Sequence, residues 1–390
     1  MNREHISLWL AYTAIKGIGW STTKRLLERF ETLSNVLNCS DLELKQAELS
    51  DHLIGLLRSI KYQNIDHIER WLEDETHQLI TIEDKCYPRL LKEIPDAPLI
   101  LYLKGDARLL HKPQIAIVGS RNPSVAGKQE VESFTKYFIE HGLTITSGMA
   151  LGIDGLAHQT ALANNGHTIA VVATGLDRIY PAHHKQLAVD IAERGLLISE
   201  FALGTGVRGR HFPKRNRIIS GLSLATLVIE AALKSGSLIT AYSAIDQGRD
   251  VFAIPGSIHN PLAKGCHKLI KQGGHLVETG EDVLAHMQWL AIAQSETSNP
   301  DVDHQYASHV SANSQVAKGA VEALSELDDS LATQDILLQQ VMHQIDFAIT
   351  AMDDIVTRTK LPVSELSEIL LQLEMQGSIA VVGGGYQRLK

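Results

Sequence analysis

Short apolar runs alternate with longer helical segments across residues 76–290 of this 390-residue chain. The six predicted strands are residues 115–118, 143–146, 168–173, 196–199, 224–229 and 250–254. Most are near-continuous apolar runs, as expected when helices cover both faces of a parallel sheet. Segments 124–141 and 237–247 have the length and periodicity of such helices. The alternation predicts an α/β domain with a doubly wound, Rossmann-like parallel sheet.

Helical patterns precede this domain. Residues 1–75 predict helices, and residues 14–19 followed by 21–27 have the pattern of a helix, a tight glycine turn and a second helix. Such a SAM or helix-hairpin-helix-like turn can offer its amides to a DNA phosphate. A small helical bundle with a plain glycine turn has the same pattern, so both interpretations stay open.

A different pattern follows the α/β domain. Residues 291–319 are polar and lack periodicity, which predicts a flexible linker. Residues 320–390 then predict three helices and a two-stranded hairpin, the outline of a winged-helix domain. In its last helix, four apolar side chains recur at helical spacing and are predicted to form the core of this domain: Leu366, Ile369, Leu370 and Leu373.

The acidic charge is concentrated in this C-terminal domain. The whole chain has a formal charge of −9, and residues 1–321 account for only about −2 of it. The predicted recognition helix, residues 363–376, has three Glu and no Lys or Arg, so it would repel a phosphate backbone. The overall acidity therefore does not argue against an anionic ligand for the central domain.

Composition excludes several classes of protein. Apolar content is ordinary, no run of 18 apolar residues is present, and the N-terminus lacks a signal-peptide cleavage pattern. We therefore expect no membrane span. Three widely spaced cysteines, Cys39, Cys86 and Cys266, suit reduced thiols in a cytosolic protein and provide neither a disulfide framework nor zinc spacing.

Five basic side chains lie within ten positions at residues 208–217, which read Arg-Gly-Arg-His-Phe-Pro-Lys-Arg-Asn-Arg. Cations this close repel one another unless an anion lies between them. Guanidinium groups present forked donors that match phosphate oxygens, and Phe212 adds a flat face for a base. The cluster indicates a nucleic-acid strand or a nucleotide; a solvated basic loop is the alternative.

Three Gly- and Ser-containing loops follow predicted strands and would meet at the carboxyl edge of the sheet. The first contains Gly119, Ser120 and Arg121, the second spans residues 147–154, and the third includes Ser235, Gly236, Ser237 and Thr240. Loop amides and helix N-termini at such an edge bind anions. Plain helix caps without a ligand explain each loop separately, but three together favour an anion-binding edge.

No motif indicates catalysis. The loop after the first strand is not Gly-x-Gly-x-x-Gly, and no acidic residue ends a strand about 20 residues later, which disfavours a dinucleotide cofactor. Asp154 and His158 lie four apart, but no further metal ligands accompany them at the required spacing. A surface pair or a buried hydrogen bond is expected instead. Glu200 and Glu230, at strand ends, are expected to hold loop amides. We predict no catalytic residues, metal or cofactor.

These motifs, in this order, resemble those of the DNA-processing protein A family, also called DprA or Smf. The longest matching run is Phe-Pro-Lys-Arg-Asn-Arg-Ile-Ile-Ser-Gly-Leu-Ser at residues 212–223. The other matching segments are residues 118–121, 147–154, 157–158, 174–177, 180–181, 198–200, 235–240 and 248–256. One departure is His184, where many members have Asn.

The resemblance implies a bacterial cytoplasmic protein that binds single-stranded DNA during natural transformation and helps to load the RecA recombinase onto it. It also implies a homodimer formed through the α/β domain. By that likeness Arg121, Lys214, Arg215 and Arg217 would hold the DNA backbone, and Phe212 would contact a base. Asn216 and Thr240 lie in the same motifs, and the turn of Ser235, Gly236 and Ser237 would receive a phosphate.

An enzyme is the second hypothesis. The α/β layout also resembles that of the lysine-decarboxylase-like group, nucleotide-binding hydrolases that release the base from a nucleoside monophosphate. Those enzymes have a Gly-Gly-x-Gly-Thr-x-x-Glu loop, whereas residues 234–240 here read Lys-Ser-Gly-Ser-Leu-Ile-Thr, without the final Glu. The missing Glu favours binding over catalysis.

Overall fold

The structure is a computed structural model that describes residues 3–60, 65–287 and parts of 341–389. Contacts divide the chain into two compact units, Met1–Glu296 and Thr297–Lys390. The larger unit contains the N-terminal helices and the sheet. Within the described residues no helix is both long enough and apolar enough to cross a bilayer. The three cysteines are free thiols.

The described residues of the N-terminal part form these helices: α1 Arg3–Thr13, α2 Trp20–Phe30, α3 Leu33–Asn38, α4 Asp41–Gln46, α5 Asp51–Arg58 and α6 Asp66–Leu72. Hydroxyl side chains cap several of them; Ser40, for example, forms a capping box with Glu43 at the start of α4. The Tyr12 hydroxyl lies 3.0 Å from that of Thr23 and joins α1 to α2. The predicted helix–turn–helix is therefore present, with Gly17 at φ +95° in its turn. A DNA contact at this turn stays a prediction.

In the part of the chain that the structure describes, nine strands form one sheet in the order β1-β2-β6-β5-β4-β3-β7-β8-β9. Their bounds are β1 His77–Thr81, β2 Ile100–Gly105, β3 Gln114–Gly119, β4 Thr144–Ser147, β5 Thr168–Val171, β6 Leu196–Ser199, β7 Ala225–Ile229, β8 Asp250–Ala253 and β9 His275–Leu276. The strands from β6 to β9 are parallel, whereas β1 and β2 run antiparallel at one end. The chain reverses its direction of winding between the neighbours β3 and β7.

Helices connect these strands: α7 Arg89–Lys92, α8 Val125–Glu140, α9 Ile153–Ala163, α10 Lys185–Arg194, α11 His211–Leu222, α12 Ser237–Asp246, α13 Lys264–Lys271 and α14 Gly280–His286, with short 3₁₀ helices at Ala107–His111 and Ala182–His184. They cover both faces of the sheet. Along β3, Ile115 and Ile117 pack into one buried cluster, and Ala116 and Val118 pack into the other. This alternation is the period of two expected of a strand buried on both sides.

All six predicted strands are present, with ends that differ by no more than two residues. The predicted doubly wound parallel sheet is confirmed, and at one end it is extended by β1 and β2, which pair antiparallel before the strand–helix alternation begins. β2 is an apolar run, but only a 3₁₀ helix separates it from β3. It therefore lacks the long crossover helix by which the other strands could be recognised.

The smaller unit has its own core. Its described elements are α15 Met352–Thr359 and the hairpin of β10 Ile379–Val382 and β11 Gly385–Arg388. The predicted core positions are confirmed, since all four are buried together with Ile355 and Ile379: Leu366, Ile369, Leu370 and Leu373. The predicted linker, residues 291–319, lies outside the described residues.

Candidate nucleic-acid interface

A pocket opens at the carboxyl edge of the sheet, where the loops after β3, β4 and β5 meet the first turn of α11. Parallel strands bring these loops together although Arg121 and Pro181 are 60 residues apart in the sequence. The side chains that define the pocket are Arg121, Met149, Leu151, Tyr180, Phe212 and Arg215. Two of the three predicted edge loops therefore meet the predicted basic cluster in one place.

The mouth of the pocket combines a cation with two aromatic rings. Arg121 is exposed, and its guanidinium carbon lies 6.0 Å from the centre of the Phe212 ring. Tyr180 packs edge-on against Phe212, with 5.8 Å between ring centres and 61° between planes. Tyr180 is itself 45% exposed. A guanidinium can bind a phosphate, and an exposed aromatic ring can stack on an unpaired base.

The floor of the pocket is a buried cation. Arg215 is 4% exposed, and its Nη1 donates to the carbonyl oxygens of Gly148 and Val171. Burial lowers the pKa of Arg215 to about 10, so the side chain stays charged at neutral pH. Burial also raises the pKa of Asp154, an effect that the charge of Arg215 opposes. Asp154 Oδ2 accepts hydrogen bonds from the amides of Gly148 and Ala150, at 3.2 and 3.4 Å.

The loop after β4 is held in an unusual backbone conformation. Met149 has φ +61°, a region that residues with side chains seldom adopt, and Gly152 has φ +78°. A Cβ on Gly152 would collide with the carbonyl oxygens of Ser120 and Arg121. His184 is buried and its Nδ1 lies 3.0 Å from the Met149 carbonyl oxygen, which requires a proton on Nδ1. The residue that departs from the family pattern therefore supports this loop.

His158 lies behind this loop and is fully buried. Its Nδ1 is 2.6 Å from the Thr168 hydroxyl, which itself donates to the carbonyl of Ile145. Nδ1 is therefore the donor in the first bond. Burial lowers the pKa of His158 to about 3, so the ring is neutral at physiological pH. Asp154 and His158 had been expected to form a surface pair or a buried hydrogen bond. Both are buried, but Asp154 is bonded to backbone amides and His158 to Thr168.

The basic cluster does not form a single loop. Residues from His211 onward form α11, and helical periodicity places His211 and Arg215 on its buried face. Arg217 donates to Glu200 at 2.6 Å and lies 3.0 Å from Asp96, whereas the exposed Lys214 lies 3.4 Å from Glu200. Glu200 was expected to hold loop amides; it instead pairs with these two cations. Three of the five basic side chains are exposed: Arg208, Arg210 and Lys214.

The turn before α12 lies beside α11. Asn216 donates from Nδ2 to the carbonyl of Gly236 at 3.3 Å, and the hydroxyls of Ser235 and Ser237 are 2.7 Å apart. The Ser237 amide donates to Ser235 Oγ at 3.3 Å, so part of the predicted anion-binding turn already has a partner. Gly236 is exposed and Thr240 is buried.

The first edge loop packs tightly against β7. A Cβ on Gly119 would overlap the carbonyl of Ile229, which explains the glycine, and the buried Ser120 hydroxyl accepts from the Asn122 amide at 3.2 Å. Glu230 holds loop groups, as expected for a carboxylate at this position: it accepts from the amide and hydroxyl of Ser124 at 2.8 and 2.5 Å. Tyr180 was not among the predicted binding residues, because its exposure beside Phe212 depends on tertiary packing.

Comparisons with known proteins agree on one family. The model of the family described as DNA recombination-mediator protein A matches residues 78–288, and that of the DprA winged helix domain matches residues 325–385. Protein Smf of Escherichia coli K12 is 40% identical over 360 residues, which cover 91% of this chain and 87% of that protein.

Proteins from Streptococcus pneumoniae are similar as well. The DNA processing protein DprA of strain R6 is 47% identical over 229 residues, covering 59% of this chain and 81% of the relative. An X-ray structure of DNA processing protein A from this species has a TM-score of 0.63 at 40% identity, and the match covers 74% of this chain and 99% of that chain. Among the described residues of this chain, no group of three or more His, Cys, Asp or Glu side chains is arranged to hold a metal.

Proposed function

We propose that this chain, which belongs to the DNA-processing protein A (DprA/Smf) family, binds single-stranded DNA at the carboxyl edge of its sheet. The observation that carries the proposal is the exposed Arg121 guanidinium beside the Phe212 ring at the mouth of a pocket. The guanidinium can bind a phosphate while the ring stacks on an unpaired base of the same strand. In a duplex the base is stacked and paired, so its face cannot reach the ring.

The predicted DNA-binding side chains divide into two roles in this proposal. Arg121 and Lys214 are exposed and contact phosphates, and Phe212 stacks on a base. Arg215 and Arg217, which already have partners within the protein, hold the loops that shape the pocket. The exposed Gly236 approaches a phosphate closely, with Asn216 orienting its turn.

Family membership supports the wider role. We infer that the protein acts in the bacterial cytoplasm during natural transformation, protects incoming strands and helps to load RecA onto them, as a homodimer through the α/β domain. We also infer that it binds DNA without catalysing a reaction. The alternative, a nucleoside monophosphate hydrolase, is not favoured by the family to which the chain belongs.

Oligonucleotide binding at several salt concentrations tests the proposal. Single strands should bind more tightly than duplexes of the same length, with a log–log salt slope of about −0.7 for each phosphate contacted. Phe212→Ala should lower single-strand affinity by about 1–3 kcal/mol with little change in the slope. Phe212→Leu, which keeps apolar volume and removes the flat face, should lose most of the same affinity. Equal affinity for duplex would contradict the proposal.

A further inference from the structure

Glu230 places a carboxylate at the start of α8, at the point where the sheet changes its winding direction. It directly follows β7, and its φ of +52° takes the backbone out of the strand conformation. Its two oxygens accept hydrogen bonds from the Ser124 amide and hydroxyl, at 2.8 and 2.5 Å. The carboxylate therefore binds the first turn of a 16-residue helix from a different part of the chain.

The arrangement is a capping box divided between two segments. In an ordinary capping box the residue three positions after the N-cap is Glu or Gln, and its side chain returns to the N-cap amide. Here Ser124 is the N-cap and its hydroxyl accepts from Gly127 at 3.0 Å, but Gly127 has no side chain to return. A Cβ on Gly127 would lie 2.5 Å from Glu230 Oε2. The glycine thus makes room for a carboxylate supplied by β7.

This carboxylate occupies a position suited to a phosphate. In doubly wound sheets, the helix after the first parallel strand directs its free amides and the positive end of its dipole at a nucleotide phosphate near the point of reversed winding. In this protein a fixed anion already accepts the N-cap amide of that helix. A second anion at the same place would find this amide already bonded, and Glu230 would repel it.

We propose that Glu230 determines specificity by excluding the phosphate of a free nucleotide from the first turn of α8. A strand is then retained through the exposed cations of the edge and the pocket formed by Tyr180 and Phe212, where a phosphate and an unpaired base are bound together. This inference rests on the proposed binding of single strands, and it assigns to Glu230 the discrimination against free nucleotides, which would otherwise compete for the edge.

The test compares three full-length variants with the wild type. Glu230→Gly removes the carboxylate and suits the positive φ, whereas Glu230→Gln keeps the side-chain volume and removes the charge. Glu132→Gln, on the exposed surface of α8, removes the same charge away from the first turn and is the matched control. Calorimetric titrations with inorganic phosphate, thymidine 5′-monophosphate and a thymidine oligonucleotide are measured for each protein.

Glu230→Gly should bind phosphate and the monophosphate at least about tenfold more tightly than the wild type, because the helix terminus then interacts with the ligand. Glu230→Gln should change in the same direction and by less, and Glu132→Gln should match the wild type. The inference is overturned if neither Glu230 variant gains affinity, if the control gains as much, or if Glu230→Gln fails to fold. A wild type that does not bind the oligonucleotide contradicts the proposed function instead.

Discussion

The mouth and the floor of the pocket each contain an arginine, and the two arginines differ in almost every physical respect. Arg121 is exposed and lies against an aromatic ring, whereas Arg215 is buried and bonded to two backbone carbonyls. An exposed side chain such as Arg121 can exchange water for a phosphate at little cost to the stability of the fold. A buried cation with internal partners contributes to the shape of the site. Similar residues in a binding motif thus have different roles.

Replacing the floor arginine should have the largest effect. Arg215→Ala leaves the buried Asp154 without its compensating charge and frees two carbonyls, so we expect a loss of about 3–5 kcal/mol in the free energy of unfolding. Denaturant titration measures it. Lys214→Ala, at the neighbouring exposed position, is the control and should change stability by no more than about 0.5 kcal/mol. Equal stability of the two variants would remove the distinction between floor and mouth.

Acid should lower the free energy of unfolding through the buried His158. Its pKa is about 3 in the folded protein and 6.5 ordinarily, so below pH 6.5 the unfolded chain binds a proton that the folded chain excludes. The stabilisation is therefore complete above pH 6.5 and is lost as pH falls towards 3. Between pH 7 and pH 5 this one group should lower the free energy of unfolding by about 2 kcal/mol. The slope of stability with pH should be shallower in His158→Gln, and an unchanged slope would contradict the assignment.

Replacing the mouth arginine should affect binding alone. Arg121→Ala removes an exposed cation, so we expect about tenfold weaker binding of single strands and a salt slope shallower by about 0.7. The denaturation midpoint should stay at its wild-type value, in contrast to Arg215→Ala. Unchanged affinity and slope would show that the phosphate contact lies elsewhere on the edge.

Removing the C-terminal unit should have the smallest effect. A chain that ends at Pro300 keeps the unit containing the pocket and loses the acidic domain, whose charge repels a phosphate backbone. We therefore expect single-strand affinity within about twofold of the full chain in a mobility-shift titration. A large loss with the sheet still folded would assign DNA contacts to the winged-helix domain.

Much of the sheet could be predicted because its signals are local. Each parallel strand from β3 to β8 is a short apolar run between helices, and such a run can be recognised from a few neighbouring residues. The antiparallel pair β1 and β2 lacks that context, because its position depends on pairing with β6. The signal of the C-terminal core is local as well, since the spacing of Leu366, Ile369, Leu370 and Leu373 alone predicted that these side chains are buried together.

The position of the candidate site at the edge of the sheet was predicted, but the burial and packing of its side chains were not. Glycine, serine and arginine after successive strands located the carboxyl edge, since parallel strands must end there together. The sequence could not distinguish Arg215 from Lys214, because that depends on which face of α11 packs against the loop after β4. Nor could it show Tyr180 beside Phe212, since their packing joins positions 32 residues apart.

The sequence by itself determined the order of the six strands from β3 to β8, the edge at which anion binding is predicted and the concentration of acidic charge in the C-terminal domain. Each of these follows from residue type and spacing within a short segment. Only the tertiary structure decided which cations face solvent and which are buried, and that Glu230 caps a helix that begins about a hundred residues earlier. Those outcomes depend on burial and on contacts between distant segments, which exist only once the sheet has brought its loops together.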